Sequence, residues 1–127
     1  VVDANCYGPL RVTEALVDNV AASTLKRVVT VTSQLGSIEN ATADWALSYR
    51  ISKAALNMGM RAAAHKLAEK GITTLVFHPG WVETDMGGKD APVQPKDSAA
   101  GMKRVVEQTP EGKELRFLDW QGETLPW

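Results

Sequence analysis

The chain has 127 residues, 44% hydrophobic and 23% charged, a globular composition that argues against disorder. Fourteen Lys and Arg against fifteen Asp and Glu leave a net charge of -1, so no basic excess draws the chain to nucleic acid. No apolar run nears the ~18 residues of a membrane span.

Cys6 is the one cysteine, which excludes an internal disulfide framework. With no signal-peptide pattern at the start, it fits a reducing, cytoplasmic setting. The length suits one domain, 1–127. Residues 3–22 place Cys6, Leu10, Ala15, Leu16 and Val20 at helical spacing. Gly8-Pro9 interrupts that pattern and predicts a kink or a late start, because proline lacks a donor and clashes with the preceding turn.

Residues 27–33 are β-branched almost throughout and read as a buried strand. A polar loop, 34–43, follows. Asp44 is positioned to cap a long helix over 45–70, with Gly71 just past its end. Residues 72–77 read as a second strand, ended by His78-Pro79-Gly80. After a loop rich in glycine and proline, Pro95 opens a helix that runs to about 108, with Asp97 favourably charged in its first turn. A short strand, 115–119, is followed by a tail that reads as a finished C-terminus.

Helix, strand, helix, strand, helix, strand is the rhythm of a parallel α/β sheet. Such sheets are covered on both faces and extend on both sides. Three strands that begin from a helix, with no initiator Met, therefore read as the second half of a larger α/β domain.

The chemistry concentrates at one rim of that sheet. Tyr49 and Lys53 are four apart on the long helix and share one face. A lysine ammonium beside a phenol favours the phenolate, which lets tyrosine work as an acid/base near neutrality. Alone, a Tyr-x-x-x-Lys pair is more often a solvated helix face. Ser33 closes the first strand, at the carboxyl end where sheets of this kind build sites, although a strand-end serine also serves as a simple turn residue. Residues 79–84 follow the second strand at the same edge.

Taken together these segments resemble the C-terminal half of the short-chain dehydrogenase/reductases. The resemblance covers essentially the whole chain. Val-Thr-Val-Thr-Ser33 resembles the family's strand ending in its catalytic serine. Tyr49-Arg50-Ile51-Ser52-Lys53 matches its Tyr-x-x-x-Lys signature, Pro79-Gly80 with Thr84 its nicotinamide loop, and Asn5 the asparagine of its tetrad. Leu35-Gly36-Ser37-Ile38 and the run from His78 to Gly88 are most similar to carbonyl reductases of the C-factor and sniffer type.

The resemblance implies a Rossmann-like, doubly wound parallel sheet, of which this chain supplies three strands and three main helices. It implies NAD(P)-dependent chemistry on a small carbonyl or alcohol. Tyr49 would exchange the proton at the substrate oxygen, and Ser33 would donate to that oxygen. Lys53 would support Tyr49 and bind the nicotinamide ribose. Asn5 would hold a water in a relay to Lys53. Pro79, Gly80, Val82 and Thr84 would orient the carboxamide, with Leu35 and Trp81 on the substrate side. One departure is plain. The family's Gly-x-x-x-Gly-x-Gly fingerprint is absent, since no two of the ten glycines are separated by a single residue. The residue that chooses NAD or NADP is absent with it. A chain truncated in this way is expected to bind the nucleotide weakly or not at all.

Two other functions are compatible with the residues. Ser33 beside Tyr49 and Lys53 has the composition of a serine esterase whose nucleophile is activated by Tyr and Lys. A non-enzymatic oligomerising module would need neither residue. It would use the free edge of strand 27–33 or the helices 3–22 and 45–70, which in the family commonly self-associate. The remaining candidates carry less. His65 and His78 lie thirteen apart, without metal-ligand spacing, so no metal site is expected. Asn40-Ala41-Thr42 is a chance glycosylation sequon in a chain of this kind. Cys6 reads as a small core residue. Asn5 could equally cap a helix, and Trp81 could equally pack on the rim.

Overall fold

A computed structural model describes residues 1–127. Helix α1 (Gly8–Ala22) is preceded by a wide π-helical turn, Asp3–Tyr7. Strand β1 is Arg27–Val31, helix α2 Leu47–Glu69, strand β2 Thr73–His78, helix α3 Pro95–Gln108 and strand β3 Phe117–Asp119. A 3-10 turn, Gln34–Gly36, links β1 to α2. The strands pair in parallel in the order β1-β2-β3, with Val29 opposite Leu75 and His78 opposite Asp119. This is the expected α/β architecture with a parallel sheet.

Helices cover the two faces separately. Cys6, Leu56, Met60, Val76 and Phe117 form one buried cluster, joining the N-terminal segment and α2 to the sheet. Leu75, Phe77 and Leu118 point the other way, against Met102, Val105 and Val106 of α3. Alternate residues of β2 thus serve opposite faces, as strand geometry requires. All of Thr73 to Phe77 is buried.

The Gly8-Pro9 interruption shows as a late start, the α-helix beginning at Gly8, while three other local readings are corrected. Pro9 cannot donate to the Asn5 carbonyl, and the N-terminal residues widen into a π turn in which the Gly8 N–H reaches back to the Asp3 carbonyl. Asp44 does not cap α2. The helix starts at Leu47 after Ala46, which holds a left-handed φ of 55° with no side-chain cap. Its entry is pinned instead by Arg50, whose Nε donates to the Trp45 carbonyl at 2.8 Å while the guanidinium lies 4.9 Å from the Trp45 ring. β1 is not buried on both faces, because α3 covers β2 and β3 and leaves Val29 44% and Val31 48% exposed. Each strand is also bounded differently from its sequence pattern. β1 stops at Val31, β2 runs one residue further to His78, and β3 begins at Phe117.

Candidate functional site

The rim at the carboxyl ends of β1 and β2 gathers most of the candidate residues. Thr32 continues the pairing one step past β1, its N–H donating to the Phe77 carbonyl at 2.7 Å. Ser33 follows, extended and only 8% exposed. Its Oγ accepts from the Leu35 N–H at 3.1 Å and its carbonyl accepts from the Gly36 N–H. The hydroxyl therefore organises the 3-10 turn as an acceptor and keeps its own proton for another partner. Leu35, half-buried, lies in this turn.

Gly36 sets how closely that turn meets α2. A Cβ there would lie 2.8 Å from the Lys53 carbonyl carbon and 2.9 Å from the Lys53 Cβ. Only glycine allows this approach, and it seats the Ser33 turn directly on the helix turn that carries Lys53. Asn57 adds a long bond, its Nδ2 donating to the Gly36 carbonyl at 3.5 Å.

On α2, Lys53 and Tyr49 occupy one face. The Lys53 ammonium sits 5.7 Å from the centre of the Tyr49 ring and donates to the Val31 carbonyl at the end of β1, at 3.5 Å. Partial burial lowers the Lys53 pKa, because the charged form loses hydration. The Tyr49 hydroxyl bonds to no other group of the chain.

Asn5 approaches α2 one residue away from Lys53. Its Nδ2 donates to Ser52 Oγ at 3.1 Å, and Ser52 Oγ donates to the Tyr49 carbonyl at 2.7 Å. Ser52 is fully buried. It tethers Asn5 to the helix turn between Tyr49 and Lys53, a positioning role that only its place inside the signature would have signalled.

The segment after β2 is a self-braced loop. Gly80 has φ 89°, and a Cβ there would lie 2.9 Å from Trp120 Nε1. Both facts require glycine. Ser98, in the first turn of α3, donates to the Pro79 carbonyl at 2.6 Å. Val82 and Val93 form a parallel bridge in which the Glu83 N–H donates to the Val93 carbonyl. The Val82 N–H is left without an acceptor in the chain. Thr84 Oγ1 accepts from the Gly87 N–H at 3.1 Å, and Trp81, half-exposed, donates its indole N–H to the Gly87 carbonyl at 2.8 Å. Thr84 and Trp81 thus hold the loop's shape.

His78 is a rim residue that the sequence pattern alone reads as structural. Its Nδ1 accepts the Gln34 N–H at 3.1 Å across the strand ends. A hollow of about 380 Å³ lies at the opposite end of β2 between Arg61, His65, Thr74 and Glu111. No side-chain hydrogen bond links those ionisable groups, so it is a poorer candidate than the organised rim.

This fold and this rim define a class, and the comparisons agree on it. The family model described as short chain dehydrogenase matches residues 1–94. The chain is 46% identical over 123 residues to the C-signal of Myxococcus xanthus, covering 97% of this chain and 74% of that protein. It is 37% identical to a 1-hydroxy-2-glutathionyl-2-methyl-3-butene dehydrogenase of a Rhodococcus species, over 99% of this chain and 57% of that protein. Among solved structures, the NADPH-bound carbonyl reductase from chicken fatty liver superposes with a TM-score of 0.91 at 33% identity, over the whole of this chain and 56% of that one. The chain belongs to the short-chain dehydrogenase family and resembles its carbonyl reductases. It spans little more than half the length of the latter two relatives.

Proposed function

We propose that this chain supplies the catalytic half of an NAD(P)-dependent reductase that acts on a carbonyl or its alcohol. The observation that carries the reading is the seating of the Ser33 turn on Lys53 through Gly36, with Lys53 on the same helix face as Tyr49. The Lys53 ammonium reaches the carboxyl end of β1, beside the Ser33 turn, and Tyr49 shares its helix face.

The residues fit a nicotinamide nucleotide at its reactive end. The Val82 N–H lacks an acceptor and suits the carboxamide, beside Pro79, Gly80 and Thr84. Lys53 gives one bond to Val31 and keeps donors for the ribose hydroxyls. When bound, the nicotinamide supplies the hydride. The chain's own part is to hold and move protons. Ser33 donates its free O–H to the substrate oxygen and steadies the charge that develops there. Tyr49 gives its phenolic proton to the same oxygen. The Lys53 ammonium stabilises the phenolate left behind. Asn5, tied to Ser52, steadies the helix turn that bears both groups, and Leu35 and Trp81 flank the substrate.

The adenosine and phosphates would be held by a glycine-rich turn at a helix start in this family, and these 127 residues contain no such run. Tight nucleotide binding is accordingly not assigned to these residues. The direct test is NADPH consumption with an aromatic ketone, using the gene product that contains this chain. Activity that falls about 10²- to 10⁴-fold in Tyr49→Phe, the usual contribution of a general acid, supports the reading. Equal activity in the variant overturns it. The esterase alternative draws on the same buried Ser33 and is removed by equal p-nitrophenyl acetate rates in wild type and Ser33→Ala.

A further inference from the structure

The turn after β1 begins with an N–H that its own backbone cannot satisfy. In the Gln34–Gly36 turn, Leu35 donates to Ser33 Oγ and Gly36 to the Ser33 carbonyl. The leading N–H, that of Gln34, has no acceptor within the turn, as first-turn donors generally do not. It crosses to β2 and meets His78 Nδ1 at 3.1 Å. The two residues are 44 apart in sequence, and the bond spans the strand ends that frame Ser33.

We propose that His78 is a positioning residue for Ser33: its neutral imidazole, accepting through Nδ1, anchors the turn that aims the Ser33 hydroxyl, and protonation releases that anchor. A neutral imidazole has one acceptor and one donor, whereas an imidazolium has two donors. The Gln34 bond therefore selects the tautomer with hydrogen on Nε2. A proton added at Nδ1 would set N–H against N–H. The consequence for catalysis rests on the reading of Ser33 given above, while the anchor itself does not.

The surroundings favour the anchored form. Burial disfavours the charged ring and outweighs the opposing pull of the Asp119 carboxylate, so the His78 pKa lies below its usual 6.5. Asp119, opposite on β3, is already engaged, its Oδ1 accepting the Gln121 and Glu123 N–H groups at 2.9 Å. From α2 the charged group at this strand end is Lys53, directed at the Val31 carbonyl, and Tyr49 is the other titratable group. In the loop after β2, Glu83 is held by Gln94 Nε2 at 2.6 Å. α3 packs Met102, Val105 and Val106 against the opposite face of β2, and its Ser98 bonds the Pro79 carbonyl.

Because the pKa is lowered, the anchor is fully present above about pH 6.5 and is lost as pH falls through the folded-state value. NMR of the chain tests this without any enzymatic readout. In wild type, the exchange protection of the Gln34 amide, corrected for intrinsic rates, should fall about 5-fold, the contribution of one typical hydrogen bond, in step with His78 protonation. In His78→Asn, whose Oδ1 can accept but does not titrate, protection should persist at every pH. In His78→Phe it should be low at every pH, while Thr32, bonded to Phe77, stays protected and reports an intact sheet. Gln34 protection that ignores His78 titration, or that survives in His78→Phe, overturns the proposal. Should the His78→Phe substitution unfold the chain, the wild-type and His78→Asn titrations decide alone. Loss of the reductase reading with a titrating Gln34 would leave the anchor standing and would refute only the chemistry assigned to Ser33.

Discussion

Ser33, Tyr49 and Lys53 differ in how much of their bonding the fold consumes. Ser33 accepts one bond and keeps its proton, Tyr49 keeps its whole hydroxyl, and Lys53 is pulled toward the Val31 carbonyl at 3.5 Å. Lys53 should carry a measurable stability cost. Burial lowers its pKa, so the unfolded chain binds its proton more readily than the folded one. Stability should therefore rise as pH climbs from neutrality toward 10.5. Lys53→Met should raise the melting temperature at pH 7 and flatten that rise, measured as the difference between the two proteins' thermal unfolding curves. An unchanged pH profile in the variant would show that the ammonium is not desolvated. Tyr49 and Lys53 are legible from spacing alone, because i and i+4 fix a shared helix face. His78 is not. Its partner Gln34 lies 44 residues away, and nothing local marks a histidine as the acceptor for another strand's turn.

At the scale of elements, glycine makes close approach possible. Gly36 lets the Ser33 turn rest on α2 with no room for a methyl group, the nearest atom being the Lys53 carbonyl carbon at 2.8 Å. Gly36→Ala should therefore destabilise the fold by about 1–3 kcal/mol, as overpacking does. Chemical denaturation should show a lower midpoint with an unchanged slope. No loss of stability would mean that the turn can lift from the helix. The strands are legible because β-branched runs and intervening helices of sufficient length permit little else. The start of α2 is not, because Asp44 has the right chemistry for a cap while the actual entry depends on Arg50 reaching back to Trp45 and on a left-handed Ala46. Gly8-Pro9, by contrast, is legible as the point where the α-helix starts, after a π turn that absorbs the missing donor.

For the molecule as a whole, β1 is a free edge with Val29 and Val31 about half exposed on one face. Helices α1 and α2 also expose Val12, Leu16, Ile51 and Met58. Unpaired strand edges and apolar faces favour association. The 127-residue chain alone should form homo-oligomers, and light scattering that finds only monomer at micromolar concentration would refute this. No helix is long and apolar enough to cross a membrane. The central claim is that the rim formed by Ser33, Tyr49, Lys53 and Val82 receives the nicotinamide end of the cofactor. Titrating the isotope-labelled chain with nicotinamide mononucleotide, followed by amide shifts, tests it most directly. The account predicts weak, saturable binding whose shifts centre on Ser33, Lys53, Val82 and Thr84 and vanish in Val82→Pro, which lacks the carboxamide donor. Shifts confined to the hollow near Arg61 and His65, or no shifts at the rim at saturating ligand, would contradict it.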